Sequence, residues 1–198
     1  MSNRPHHRPS TPGSRYFEAI SAGVDPAGLQ EAADRAATLL VRGARDSDDD
    51  DVAERLLHLA DTEGMETIAE VWSASPGDSL AGCLWRLYLL RSLVYGDPGG
   101  VAQQFEAGRS AAPVARVVAG VADPPGPDEL KAMIDQVLRG IARADFADVL
   151  FRASAFARVV ATGRAGLATT SEQEVARMLA LAEQLEAAGH LELAHGLA

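Results

Sequence analysis

Apolar residues recur along most of this chain at intervals of three and four, the repeat of one face of an α-helix. No stretch sustains the apolar–polar alternation of a half-buried strand. Phe146, Val149, Leu150, Ala153, Phe156, Ala157 and Val160 give the repeat in its plainest form. No Asn-Gly or Asp-Gly pair occurs, and those pairs are the strongest short-range signal of a hairpin. The pattern predicts an all-α, multi-helix bundle.

Glycine, proline and capping residues divide the pattern into elements. Met1 to Ser14 holds Pro5, Pro9, Pro12 and Gly13 and reads as a disordered tail (1–14). Arg15–Ala22 is a short helix ended by Gly23. Asp25 caps a helix whose first position is Pro26. It runs to about Arg42 with Leu29, Ala33, Ala36, Ala37 and Leu40 on one face, and Gly43 stops it. Asp46–Asp51 lead into a helix carrying Val52, Leu56, Leu59 and Ala60. Gly64 breaks it, and Glu66–Ser73 forms another short one.

After a Pro76–Gly77 turn, Asp78 or Ser79 caps Leu80–Tyr95, which reads LAGCLWRLYLLRSLVY. It is apolar round nearly its whole circumference, and such a helix belongs between other helices. At 1.5 Å per residue it spans roughly 24 Å, which makes it the central hydrophobic helix of the predicted bundle. Asp97-Pro98 opens a helix to about Arg109, and Pro113–Val121 is helical as well. Asp123–Pro127, DPPGP, is the strongest break in the body of the chain. It separates an N-terminal helical half (15–122), with an acidic segment at 46–73, from a C-terminal helical half (128–198). That second half reads as helices over Asp128–Ala144, Asp145–Thr162 and Ser171 to Gly189, with an apolar tail, Leu191–Leu197. Ser171 and Glu174 have capping-box spacing.

Charge narrows the function classes. Acidic residues number 28 against 18 Lys plus Arg, a formal net charge of −10. That sign disfavours nucleic acid and anionic membrane surfaces, because both bind by neutralising phosphate. No run of apolar residues is long enough to cross a bilayer. Met1–Ser14 lacks the apolar core of a secretory signal. Cys83 is the one cysteine, so no intrachain disulfide forms, as suits a reducing, cytoplasmic setting.

The acidic segment is the most unusual feature. Asp46, Asp48, Asp49, Asp50, Asp51, Glu54, Asp61, Glu63, Glu66 and Glu70 face one base, Arg55. A calcium loop starting at Asp46 would need a glycine and a carboxylate where Asp51 and Leu57 stand, so it is rejected. Val52–Ser73 has the outline of a helix-turn-helix, but Glu63, Glu66 and Glu70 would meet phosphate. A solvated acidic face is the plainest reading. The functional one is a dock, centred on Asp48, Asp49, Asp50, Asp51 and Glu54, for a protein partner with a basic face.

A second candidate lies on the central helix, where Trp85, Arg86, Tyr88 and Arg91 could line a pocket for an anionic ligand. The plainer reading has both arginines reaching the surface or pairing with the acidic segment. Cys83 reads as a small core residue, with no histidine placed to activate it. His6 and His7 in the tail, and His190 and His195 five apart, do not form metal-ligand patterns. No nucleotide, cofactor or metal motif occurs. Val175, Met178, Leu179, Ala182 and Leu185 read as core residues that could instead form a homodimer seam. The expected function is therefore a non-enzymatic cytoplasmic interaction or regulatory protein using the acidic dock. The alternative is a helical protein or enzyme that binds a small anion near Trp85.

Overall fold

Six α-helices make up the described part of a computed structural model of the chain, and no strand occurs among the described residues. The structure describes residues 26–47, 72–111, 126–143, 145–167 and 170–197. The tail, the helices expected at Arg15–Ala22, Val52–Ala60 and Pro113–Val121, most of Glu66–Ser73, and the acidic dock from Asp48 to Glu54 lie outside them. The helices are α1 (Pro26–Ser47), α2 (Leu80–Gly96), α3 (Pro98–Ala111), α4 (Pro127–Arg143), α5 (Phe146–Gly166) and α6 (Glu172–His195).

Several starts follow the sequence closely. Pro26 opens α1. Ser79 caps α2 by accepting from Gly82 N, and Asp97 accepts from Gly100 N at the head of α3. Asp145 caps α5. Ser171 and Glu174 form the capping box of α6, which satisfies two otherwise orphaned N–H groups. Helix ends follow it less well. Helix α1 runs through Gly43 to Ser47 rather than stopping near Arg42. Helix α3 ends at Ala111, not Arg109, and α5 reaches Gly166, not Thr162. Gly189 does not end α6, and Leu191 is helical rather than part of a loose tail. Gly189 is buried inside α6, where a Cβ would stand 2.9 Å from the Phe151 ring. Its small size serves packing, not termination.

Two helices share the centre. Leu80, Leu84, Leu87, Leu90 and Val94 of α2 are fully buried or nearly so. On α5, Phe146, Val149, Leu150, Ala153, Phe156, Ala157 and Val160 are all buried, and the helix packs on α2, α3, α4 and α6. Each such side chain contributes roughly 1.5–3 kcal/mol when fully withdrawn from water. A continuous core links Ala33 on α1 to Leu197 beyond α6, so residues on both sides of the proline-rich break share it. Phe105 stacks on Phe156 at 5.5 Å, and Trp72 on Tyr88 at 5.9 Å. On α1, among the described side chains, Ala33, Ala37 and Val41 are buried, while Leu39 points to solvent.

The α3–α5 crossing is closest at two glycines. A Cβ on Gly163 would meet Gly108 N at 2.9 Å, and one on Gly108 would meet Gly163 N at 2.8 Å. Real side-chain carbons do not come that near, so only glycine at both positions lets the two backbones touch. Across the molecule a polar clasp holds α1 to the end of α6. Both Arg42 Nη atoms donate to the Glu192 carboxylate, at 2.5 and 2.8 Å, and Nη2 also donates to Leu197 O at 3.2 Å. Glu192 in turn accepts from Leu197 N at 2.8 Å. The carboxylate raises the Arg42 pKa above its ordinary value, chiefly through that hydrogen bond, and a buried charge is tolerated only with such pairing.

Candidate functional site

Helix geometry splits the four residues singled out on α2. At about 100° per residue, Trp85, Arg86, Leu89 and Leu93 fall within an arc of about 100°, Arg91 falls opposite that arc, and Tyr88 lies outside its edge, about 60° beyond Trp85. Tyr88 is buried against Trp72, whose indole N–H donates to Ala33 O at 3.3 Å. Arg91 is buried and its Nε donates to Asp135 Oδ1 on α4 at 3.0 Å. Tyr95 Oη donates to the other oxygen of Asp135 at 2.6 Å, and the Arg91 guanidinium lies 4.0 Å from the Tyr95 ring centre. Arg91 thus takes a carboxylate partner from α4, a residue outside the acidic segment.

Trp85 and Arg86 face a cleft between α2 and α6, of about 480 Å³. That is the size of a site for a small ligand or for a few side chains of a partner. Its walls are Trp85, Leu89 and Leu93 from α2 and Met178 and Leu181 from α6. The seam proposed on α6 is therefore divided. Met178, Ala182 and Leu185 are buried, whereas Leu179 is 38 % exposed.

Three arginines reach the same cleft. Arg86 is held in place, its Nε donating to Gln184 Oε1 across the cleft at 2.7 Å and its Nη1 to Gly82 O at 2.8 Å. Gly82 is itself pressed against Pro76 O, where no side chain fits. Arg164, from the last turn of α5, donates to Gln104 Oε1 at 2.7 Å. Partial burial lowers the Arg164 pKa, and the nearby Glu174 and Asp97 carboxylates work against that. Arg177 stands exposed on α6. Among the described residues the one acid on the lining is Glu174, whose carboxylate is already committed to the cap. It accepts from Ser171 N at 2.9 Å and Ser171 Oγ at 2.7 Å. Those bonds, helped by Arg164 and Arg177, hold its pKa below the ordinary value. The described residues of the lining therefore carry an excess of positive charge in a chain whose net charge is −10.

Sequence reasoning found Trp85 and Arg86 but not Arg164 and Arg177, because no local spacing relates positions on three different helices. Cys83 is buried, its thiol pushed up to about 12, chiefly by burial. Its Sγ lies 3.6 Å from Gly77 O, and a thiol so placed is a core residue, not a nucleophile. His190 packs edge-on against Phe151 at 5.0 Å. Among the described residues no three His, Cys, Asp or Glu side chains converge on a metal position. No helix among them is long and apolar enough to cross a membrane. The chain matches no known protein family, no curated protein and no solved structure.

Proposed function

We propose that this is a non-enzymatic binding protein of the cytoplasm that holds the anionic part of an amphiphilic ligand in the cleft between α2 and α6. The observation that carries the reading is the convergence of Arg86, Arg164 and Arg177 on a largely apolar lining where, among the described residues, the one carboxylate is engaged in a helix cap. Guanidinium groups recognise carboxylates by paired hydrogen bonds, and a half-apolar surround raises the worth of each bond. Decanoate should perturb Trp85 emission, and decyltrimethylammonium should not. Arg86→Gln and Arg177→Gln should each weaken the decanoate response. Equal binding of both amphiphiles, or indifference to both substitutions, would discard the reading.

A second reading concerns the acidic segment, whose ten acids between Asp46 and Ser73 face one base. Asp48, Asp49, Asp50, Asp51 and Glu54 would attract a protein with a basic face through complementary potential. Replacing Asp48 to Asp51 with serine should abolish capture of that partner, and the dock falls if every captured protein is retained.

A further inference from the structure

We infer that the occupant of the α2–α6 cleft is an acidic amphipathic helix presented by a protein partner. The inference rests on the cleft being the anion-binding site argued above and adds what the ligand is. Its first support is shape. Most of the lining comes from one face each of two helices, Trp85 to Leu93 on α2 and Glu174 to Gln184 on α6, with Arg164 of α5 and Ser73 at its margin, so the apolar surface runs along α2 and α6. Leu89 is 39 % exposed, and Trp85, Leu93 and Leu181 are only half-buried. Small-ligand pockets enclose most of their guest. A surface left this open along its length suits a guest that brings its own covered side. A helix laid between two others does so, with apolar anchors at i, i+4 and i+7 filling the groove.

The second support is charge. Leu89, Leu93, Met178 and Leu181 form the apolar part of the lining, and Arg86, Arg164 and Arg177 provide its cations. A guest with leucines on one stripe and glutamates beside it matches both parts. A basic amphipathic helix would set like charge against the three arginines, an arrangement that disfavours the wrong partner. Methionine and leucine together also make a surface able to adapt to helical guests.

Two-dimensional NMR of the full ¹⁵N-labelled chain tests this, because its two indole N–H groups report separately. Trp85 lies on the cleft, and Trp72 is buried against Ala33 O. The probe is a capped helical peptide of about fifteen residues with leucine at i, i+4 and i+7 and glutamate on the flanking positions. Controls are the same peptide with lysine for every glutamate, and decanoate. The Glu peptide should shift the Trp85 signal and leave Trp72 in place. It should bind at least about tenfold more tightly than the Lys peptide and than decanoate. Arg177→Glu should weaken it by about tenfold or more, and since Arg177 is exposed, an unchanged Trp72 signal verifies that the variant folds.

Decanoate binding without peptide binding would overturn the inference and leave the anion cleft standing. Equal binding of the Glu and Lys peptides would overturn both, as would no response to any probe. If sedimentation showed a dimer that Leu89→Asp dissociates, the groove would belong to a second copy of the chain, and the inference would fall.

Discussion

The α3–α5 crossing and the α2–α6 cleft adjoin at neighbouring residues of α5, Gly163 and Arg164, and they solve the approach of two helices in contrary ways. At the closest point of the crossing, Gly108 and Gly163 put no side chain between the helices, and the backbones meet. At the cleft, Trp85, Leu89, Leu93, Met178 and Leu181 hold two helices apart, and one side-chain hydrogen bond, Arg86 to Gln184, bridges the gap. Where small residues face each other the space between helices disappears and becomes stability. Where large amphipathic ones do, it persists and can be filled from outside. The first kind of surface cannot change without unfolding cost, and the second can vary freely, which is where binding is expected to reside.

The sharpest way to break this contrast is to put a side chain into the crossing. Gly163→Val should cost about 4 kcal/mol or prevent folding, measured by urea denaturation. The new Cβ would meet backbone atoms of α3, which cannot rotate away as a side chain can. Gly99, with nothing within 4 Å of the position a Cβ would take, gives the opposite sign. Alanine there should stabilise by a few tenths of a kcal/mol through the usual helix preference over glycine. Were Gly163→Val tolerated at no cost, the backbone contact would not be what closes α3 on α5.

Next in size is the polar support behind the cleft helix. Asp135→Ala should destabilise by about 3 kcal/mol, because it strips a partner from the buried Arg91 guanidinium and from Tyr95 Oη together. Side-chain exposures of 9 % for Arg91 and 15 % for Asp135 put this pair well inside the range where losing one partner is costly. A loss below about 0.5 kcal/mol would place the pair with weak surface bridges instead.

How far the sequence foretold these two regions follows from what each depends on. Helical class, the start of nearly every described helix and the buried stripe of α5 rest on local spacing and caps, and all could be read along the chain. Gly43 and Gly189 look like helix stops by the same local rules. Their actual role depends on what stands opposite, a Phe151 ring in the case of Gly189, and no local pattern carries that. The cleft shows both kinds of legibility. That Arg91 turns away from Arg86 and Leu89 follows from 100° steps along one helix and was available from the sequence, whereas Tyr88, about 60° round from Trp85, is set apart by Trp72 stacking on it. That Arg164 and Arg177 join Arg86 was not, since three helices had to be placed first.

The α6 cap gives a smaller effect with a pH signature. Ser171→Ala should cost about 1 kcal/mol, the usual value of an N-cap hydroxyl. Glu174 in the folded chain titrates below its ordinary 4.5, mainly through its hydrogen bonds from Ser171. A depressed carboxylate pKa stabilises the fold above the unfolded value, and that contribution disappears as pH falls through the folded one. The difference in stability between the parent chain and Ser171→Ala should therefore narrow on acidification through and below pH 4.5. The alkaline side has its own marker in Cys83. A thiol raised to about 12 from 9.0 favours the fold below pH 9.0 and loses that advantage as pH climbs between the two values.

The smallest expected effect on stability is at the cleft itself, and it separates a surface kept for binding from a core left unfinished. Leu89 is 39 % exposed, so its truncation removes little buried area, and Arg177 is exposed on α6. Leu89→Ala and Arg177→Ala should each move unfolding free energy by less than about 0.5 kcal/mol, as surface changes do. An unfinished core would respond the other way. If Leu89 packed against apolar surface in solution, its removal would cost 2 kcal/mol or more, the scale of a leucine truncation in a filled interior. Near-zero cost together with lost response to the Glu peptide would show that the two helices are held apart for a guest, because the residues concerned would then contribute to binding and to nothing else.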